Sequence, residues 1–417
     1  MSELDDRAKP VREGEGLDAG ALLAWMQTQP ALTELLARRG LRADTCALSV
    51  HQFPAGYSNL TYLLTLEPGP NSNSNSNSNS GSNSNSGSNP NSDSGQPLEL
   101  VLRRPPFGNT VASGHDMLRE HRVLSKLAPV YPLAPAPLGY CADPSVLGSP
   151  FYVMRRLRGL ILRRRPPKGM RFDETRAAAL SEALIDGLAK LHGIDYRAIG
   201  LGELGKPEGY AQRQVAGWTR RWKAAQTGDG QAQTLDQVAA WLAAELPTDE
   251  VAEGGRGPAL IHNDYKYDNV VIALGGEGPG PNPDPNPDPN SDRIIGVLDW
   301  EMATIGSPLM DLGTTLGYWV DHGDDARLQG LAFGPTNAPG SLTRSALVDR
   351  YMAQTRREVT KPVYFRVFGL FKIAVIIQQI FARYQKGSTR DPRFAALGYF
   401  VGVLAEVASE AIERDVL

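Results

Sequence analysis

Cysteine is almost missing from this chain: among 417 residues only Cys46 and Cys141 occur. Two thiols exclude a disulfide framework and a Cys-based zinc site, and they suit a reducing, intracellular and hence cytoplasmic compartment. An excess of one charge is missing as well. Lys and Arg number 43 against 46 Asp and Glu, a net charge of -3, so nothing argues for nucleic acid or an anionic membrane as partner. The first residues, MSELDDRAKPVREGEG, lack the apolar stretch of a signal peptide. The most apolar late segment, FGLFKIAVIIQQIFARY, is broken by Lys372, Gln378 and Gln379. It reads as too short and too polar to span a bilayer, and a buried helix is expected. No His/Cys group has metal-ligand spacing, and no Gly-x-Ser-x-Gly turn supports an esterase. What remains, 41% hydrophobic and 21% charged residues, is ordinary for a soluble globular protein.

Two tracts stand out by composition. Asn71 to Gly95 is nearly pure Asn, Ser and Gly, and Gly275 to Asp292 contains PGPNPDPNPDPN. Neither holds enough apolar surface to offset the entropy of ordering, so both are expected to be disordered. Each lies between two strand-like runs: NLTYLLTLE and LELVLRR around the first, NVVIAL and RIIGVLDW around the second. Loop closure costs little more as a loop lengthens, so each tract reads as an overgrown hairpin turn, with an interdomain linker as the alternative. Leu17 to Arg39 reads as a helix interrupted near Pro30, Leu48 to Arg104 as three strands, His115 to Leu127 as a helix and SPFYVMRRL as a strand. Helical patterns dominate from Asp173 onward. The expected class is α+β. An extension (1–39) precedes a small β-rich lobe (40–157, carrying the 71–95 insert), and a larger helical lobe (158–417, carrying the 275–292 insert) follows.

The stretch IHNDYKYDN, Ile261 to Asn269, crowds His, Asp, Lys and Asn between two apolar runs. It is either a solvated turn or a catalytic loop gripped by the core on both sides. Phosphoryl transfer needs a carboxylate to orient the attacking hydroxyl, oxygens for Mg²⁺, and a cation and a glycine-containing turn for the nucleotide. Asp264 offers the first. Asn269, five residues on, and Asp299, at the end of the returning strand IIGVLDW, offer hard oxygen donors for Mg²⁺. A hairpin would bring these two together across the tract that separates them.

Here the pattern resembles a known family. HNDYKYDN looks like the catalytic loop of the protein kinase-like superfamily, and LDWE stands where protein kinases have Asp-Phe-Gly. With GSPLMDLG, the chain resembles the aminoglycoside phosphotransferase-like (APH-like) branch. Within that branch it is similar to kinase-like modules found fused to acyl-CoA dehydrogenases. The resemblance covers roughly residues 40 to 400 and implies a protein kinase-like two-lobed fold, ATP and Mg²⁺ as cofactors, and further site residues. In FPAGYSNLTY, Gly56, Tyr57, Ser58 and Asn59 would approach the phosphates. The Lys–Glu pair of the superfamily corresponds to Arg103 and Glu120. Arg keeps the charge but is longer and planar, so nucleotide geometry is put in question. Lys266 matches a loop lysine that meets the transferring phosphate, with a surface lysine as the alternative. His262 would be structural, Asp311 would cap backbone amides and brace the loop, and Tyr265 and Tyr267 would pack.

The expected activity is ATP-dependent phosphorylation of a small-molecule hydroxyl, with Asp264 and Lys266 as catalytic residues. A non-catalytic nucleotide-binding or scaffolding module is the alternative, and the Asp264, Asn269 and Asp299 set weighs against it. The basic segment RQVAGWTRRWKAA favours an anionic or CoA-linked acceptor contacted by Arg220, Arg221 or Lys223 over a polycation, and the resemblance to modules fused to acyl-CoA dehydrogenases points the same way, toward a hydroxyacyl-CoA. The alternative for this segment, with His192, Trp218 and Trp222, is an amphipathic helix with a solvated basic face. The acceptor's identity and the oligomeric state are not written in the sequence.

Overall fold

A computed structural model describes residues 8–54, 59–69, 97–106, 116–167, 169–228, 232–275, 292–387 and 392–417. Most of both low-complexity tracts falls outside these residues, as do Gly56, Tyr57 and Ser58. The chain divides into two compact units, one of Asp6–Pro129 with Pro135–Leu157 and one of Val130–Ala134 with Arg158–Leu417.

The smaller unit runs α1 (Ala19–Gln27), α2 (Pro30–Arg38), β1 (Cys46–Gln52), β2 (Leu60–Pro68), β3 (Leu98–Arg104), α3 (Met117–Leu127), β4 (Pro137–Cys141), α4 (Pro144–Leu147) and β5 (Phe151–Arg155). Pro30 separates α1 from α2 by opening the second helix at its first turn, where a missing N–H is harmless. The five strands form an antiparallel sheet in the order β1-β2-β3-β5-β4. Inward residues of the sheet, Leu60, Tyr62, Leu64, Leu66, Leu100, Leu102, Phe151 and Val153, share one core with Leu22, Met26, Leu32 and Leu35 of the first two helices.

The β2–β3 pairing closes at Leu66 against Leu98, so the described residues on either side of the first tract are neighbours in the sheet. Replacing Asn71–Gly95 by Asn-Gly should therefore leave the urea unfolding midpoint and activity nearly unchanged. A long polar excursion at a hairpin end contributes little beyond slowly varying closure entropy. A loss of several kcal/mol would show that the tract is structural.

The larger unit continues with α5 (Glu174–His192), α6 (Tyr210–Ala225), α7 (Ala232–Ala244), α8 (Asp249–Ala252), β6 (Ala259–Ile261), β7 (Val270–Ala273), β8 (Arg293–Val297), β9 (Thr304–Gly306), α9 (Pro308–Tyr318), α10 (Ala326–Gln329), α11 (Arg344–Thr355), α12 (Pro362–Gln385) and α13 (Leu397–Arg414). β7 and β8 pair antiparallel, Val270 facing Val297, and Gly275 N–H donates to Asp292 Oδ1 at 2.9 Å across the far end. β6 pairs with β9. Helices α9 and α12 lie backbone to backbone. A Cβ on Gly369 would come within 2.1 Å of the Gly313 carbonyl oxygen, so glycine is required there.

One expectation fails. α12 spans 24 residues, its most apolar stretch has mean hydropathy 1.6, and by length and composition alone it and Pro392–Arg414 are long and apolar enough to cross a membrane. The charges misled the reading, because Arg366 and Lys372 are buried inside the unit. Of the most apolar stretch of α12, 78% is buried, as expected of a core helix.

Candidate active site

The loop from His262 to Asn269 follows β6 and leads through a 3₁₀ turn, Tyr267–Asn269, into β7. Helix α9 anchors it over two turns. Asp311, Thr315 and Tyr318 stand at i, i+4 and i+7, one face of a helix. Asp311, fully buried, accepts the His262 N–H on Oδ2 and the Asn263 N–H on Oδ1, both at 2.7 Å. Thr315 Oγ1 donates to the Tyr265 carbonyl at 2.9 Å. The Tyr318 hydroxyl donates to Asp264 Oδ1 at 2.7 Å. The expected bracing by Asp311 has this geometry. Tyr318 was not singled out, although its seven-residue spacing from Asp311 is a usable signal.

Asp264 gathers the other polar groups. Lys266 Nζ donates to both its oxygens, at 3.0 and 2.9 Å, and lies 4.3 Å from the Tyr318 ring centroid. Asn269 Nδ2 donates to Asp264 Oδ2 at 2.9 Å and to the Asp264 carbonyl at 2.8 Å. Burial alone would raise the Asp264 carboxyl, but Lys266, Lys372 and the Tyr318 hydroxyl outweigh it and hold it below the usual carboxylate range. Burial would lower Lys266, yet Tyr318 and Asp264 hold its ammonium above the usual lysine range. Lys266 is thus no freely solvated surface lysine.

His262 is wholly buried and works through the backbone. Its Nε2–H donates to the Leu298 carbonyl at 2.9 Å, and Nδ1 accepts the Asp264 N–H at 3.2 Å, which sets the tautomer. It ties the loop to the segment that carries Asp299. The Leu298 N–H donates to the Asn269 carbonyl at 2.7 Å, so Asn269 and Asp299 emerge from adjacent strand ends. Asp299 takes the left-handed conformation (φ 66°), as does Asn263 (φ 68°). Asn and Asp are the non-glycine residues that tolerate it best. Asn263 is held from four sides. Besides Asp311, its side chain accepts from the Tyr210 hydroxyl at 2.9 Å and donates to the Met302 carbonyl at 3.0 Å, and its carbonyl accepts from Lys372 Nζ at 2.5 Å.

Tyr265 and Tyr267 are buried, and Tyr267 stacks on Trp319 at 5.7 Å, so both pack as expected. His192 is also internal, between the Tyr351 hydroxyl (2.7 Å) and Asp311 (3.1 Å). Of the basic segment, Lys223 is paired with Asp236 at 2.5 Å, which argues against its waiting for a ligand. Arg220 and Arg221 are exposed, and Arg221 lies 4.6 Å over the Trp218 ring. In the smaller unit, Arg103 on β3 and Glu120 on α3 form a buried ion pair at 2.5 Å, and Asn59 is buried. The structure thus brings together Asp264, Lys266 and Asn269, and separately Arg103 and Glu120.

An α+β fold with this loop, a central carboxylate beside an amide and a lysine, defines a kinase-like small-molecule phosphotransferase. The chain belongs to the phosphotransferase enzyme family (APH), which it matches over residues 49–343. Acyl-CoA dehydrogenase family member 11 of Gallus gallus is 32% identical over 371 residues, covering 88% of this chain and 41% of that protein. The chain therefore spans about two-fifths of that relative's length. Among solved structures, a presumptive aminoglycoside phosphotransferase of Ralstonia eutropha JMP134 superposes with TM-score 0.68 at 26% identity, covering 96% of this chain and 99% of that one. Choline kinase of Cryptosporidium parvum Iowa II does so with TM-score 0.57 at 12% identity, over 96% and 98%, a likeness of fold alone.

Proposed function

We propose that this chain transfers the γ-phosphoryl group of ATP to a hydroxyl of a small, anionic, CoA-linked molecule. The observation that carries the reading is the braced loop. Asp264 is kept ionised in a largely buried position, where it can orient an attacking hydroxyl and accept its proton. Lys266, next to it, would meet the phosphoryl oxygens. The CoA link is supported by the relatives, named as acyl-CoA dehydrogenase family members, whose remaining length lies beyond the match.

The donor set fits a hard cation. Asn269 directs Nδ2 at Asp264, and its Oδ1 accepts no hydrogen bond among the described residues. With Asp299 on the adjoining strand end it offers two oxygens, and Mg²⁺ is usually held by one or two protein oxygens plus phosphates and water. Bound there, Mg²⁺ would neutralise charge on the phosphates. Arg103, steadied by Glu120, and Asn59 would serve the nucleotide.

The test is ATP consumption across hydroxylated acyl-CoAs, choline-like alcohols, sugars and aminoglycosides. An acceptor-dependent signal that vanishes in Asp264→Ala supports the reading. Nucleotide binding without Asp264-dependent turnover for any acceptor would favour a non-catalytic module. Asp299→Ala should abolish Mg²⁺-dependent turnover, because it removes the carboxylate assigned to the metal. Unchanged Mg²⁺ dependence in that variant would withdraw the assignment.

A further inference from the structure

A group of unsatisfied hydrogen-bond donors lies beside the catalytic loop, where α6 packs on α12. Lys372 sits in the middle of α12 and is 2% exposed. Gly369, one turn earlier, lets α12 approach α9 closely enough to set this position. An ammonium has three hydrogens. Among the described residues Lys372 Nζ donates only to the Asn263 carbonyl, at 2.5 Å. Trp218, on α6, is 6% exposed, and its ring centroid lies 5.7 Å from Lys372 Nζ. Its buried Nε1–H has no hydrogen-bond partner among the described residues. Arg221 brings a guanidinium to 4.6 Å from the same ring.

Buried polar hydrogens are normally satisfied, so a buried indole N–H without a partner calls for an explanation. Here it stands beside an ammonium with two uncommitted hydrogens and an exposed guanidinium. The carboxylates within electrostatic reach do not fill the deficit. Asp264 is occupied by Lys266, Tyr318 and Asn269, and Asp311 by His192 and two loop amides. What the cluster lacks is an acceptor of negative charge.

We infer that Trp218, Arg221 and Lys372 form the subsite that recognises the phosphate acceptor, taking a carboxylate or phosphate group that the acceptor carries near its reacting hydroxyl. The inference rests on the proposed role of Asp264, because Lys372 holds the residue next to it. It selects against cationic acceptors, since a quaternary or primary ammonium placed here would meet two like charges. It also moves recognition from the solvated helix face to the buried end of the cluster. Lys223, already paired, takes no part.

The full chain is titrated with D-glycerate, glycerol 3-phosphate, glycerol and choline, alone and with MgAMP-PNP, following the thermal unfolding midpoint and calorimetric binding. At least one anion should bind and raise the midpoint, while glycerol and choline do not. The better of the two anions tells carboxylate from phosphate. Trp218→Phe keeps the ring and deletes only the N–H, and it should weaken anion binding several-fold. Lys372→Met should weaken it by more than ~10-fold, as expected for a lost charge-assisted bond. MgAMP-PNP affinity reports that each variant is folded, and Trp218→Phe and Arg221→Ala suffice if Lys372→Met is not. Equal responses to all four probes, no binding of any, or anion binding unchanged in the variants would overturn the inference. The same titration on Asp264→Asn separates the two readings: the subsite stands or falls on binding, the phosphotransferase reading on turnover.

Discussion

Asp264→Asn should lower kcat by more than ~100-fold while nucleotide still binds, the usual effect of removing a positioned acid–base group being ~10²–10⁴-fold. The substitution keeps the size of the side chain. The amide oxygen can still accept from Tyr318 or Lys266, so the loop, pinned mainly by Asp311 and Thr315, should hold its place. What is lost is negative charge. Asn cannot accept the hydroxyl proton, and Lys266 loses the carboxylate that now holds it through two bonds. The measurement is steady-state turnover with an identified acceptor, together with MgAMP-PNP affinity by calorimetry. Wild-type turnover would remove Asp264 from the mechanism. Loss of nucleotide affinity as well would mean that the variant damages more than the chemistry.

The parts of this site that were legible in the sequence share one property: their partners are close along the chain or lie at the ends of a hairpin. Asp264, Lys266 and Asn269 fall within six consecutive residues, and Asp299 returns on the strand that pairs with the loop's own exit strand. The Arg103–Glu120 pair was read only through a family resemblance, since a strand residue and a helix residue 17 positions apart carry no local signal. Tyr318, Asn263 and Lys372 escaped notice for different reasons. Tyr318 lies in an apolar helix where a tyrosine reads as packing. Asn263 acts equally through its backbone and its side chain, and every one of its partners is distant along the chain. Lys372 looked like an interruption of a hydrophobic run, and the same misreading made α12 look too short. A charge inside an apolar helix breaks the element only if it has no partner, and Lys372 finds one 109 residues away, in the Asn263 carbonyl. The sheet was legible from its strands apart from β4, whose Pro-Leu-Gly-Tyr-Cys carries little strand propensity and is held by pairing with β5.

Asp311→Ala should cost about 3–5 kcal/mol of stability, the range for removing one member of a buried charged network, and should nearly abolish turnover. Three donors converge on this carboxylate: the His262 and Asn263 amides and His192 Nε2. Deleting it leaves all three buried without their acceptor. Asn263 would then lose one support of its left-handed backbone, and Asp264, the next residue, would lose its fixed position. Burial alone would raise the Asp311 carboxyl, but His192 and the amide donors hold it below the usual range. A carboxylate whose folded pKa is depressed stabilises the fold above its unfolded pKa of about 3.9, and that stabilisation disappears as pH falls through the depressed value. The variant should therefore lose stability near neutral pH and show a flatter decline in acid than the parent chain. Asp311→Asn, which keeps one acceptor for the two amides, should fall between them. Urea unfolding at a series of pH values, read with kcat, is the measurement. A loss below about 1 kcal/mol with turnover intact would show that Thr315, Tyr318 and Lys372 hold the loop without Asp311.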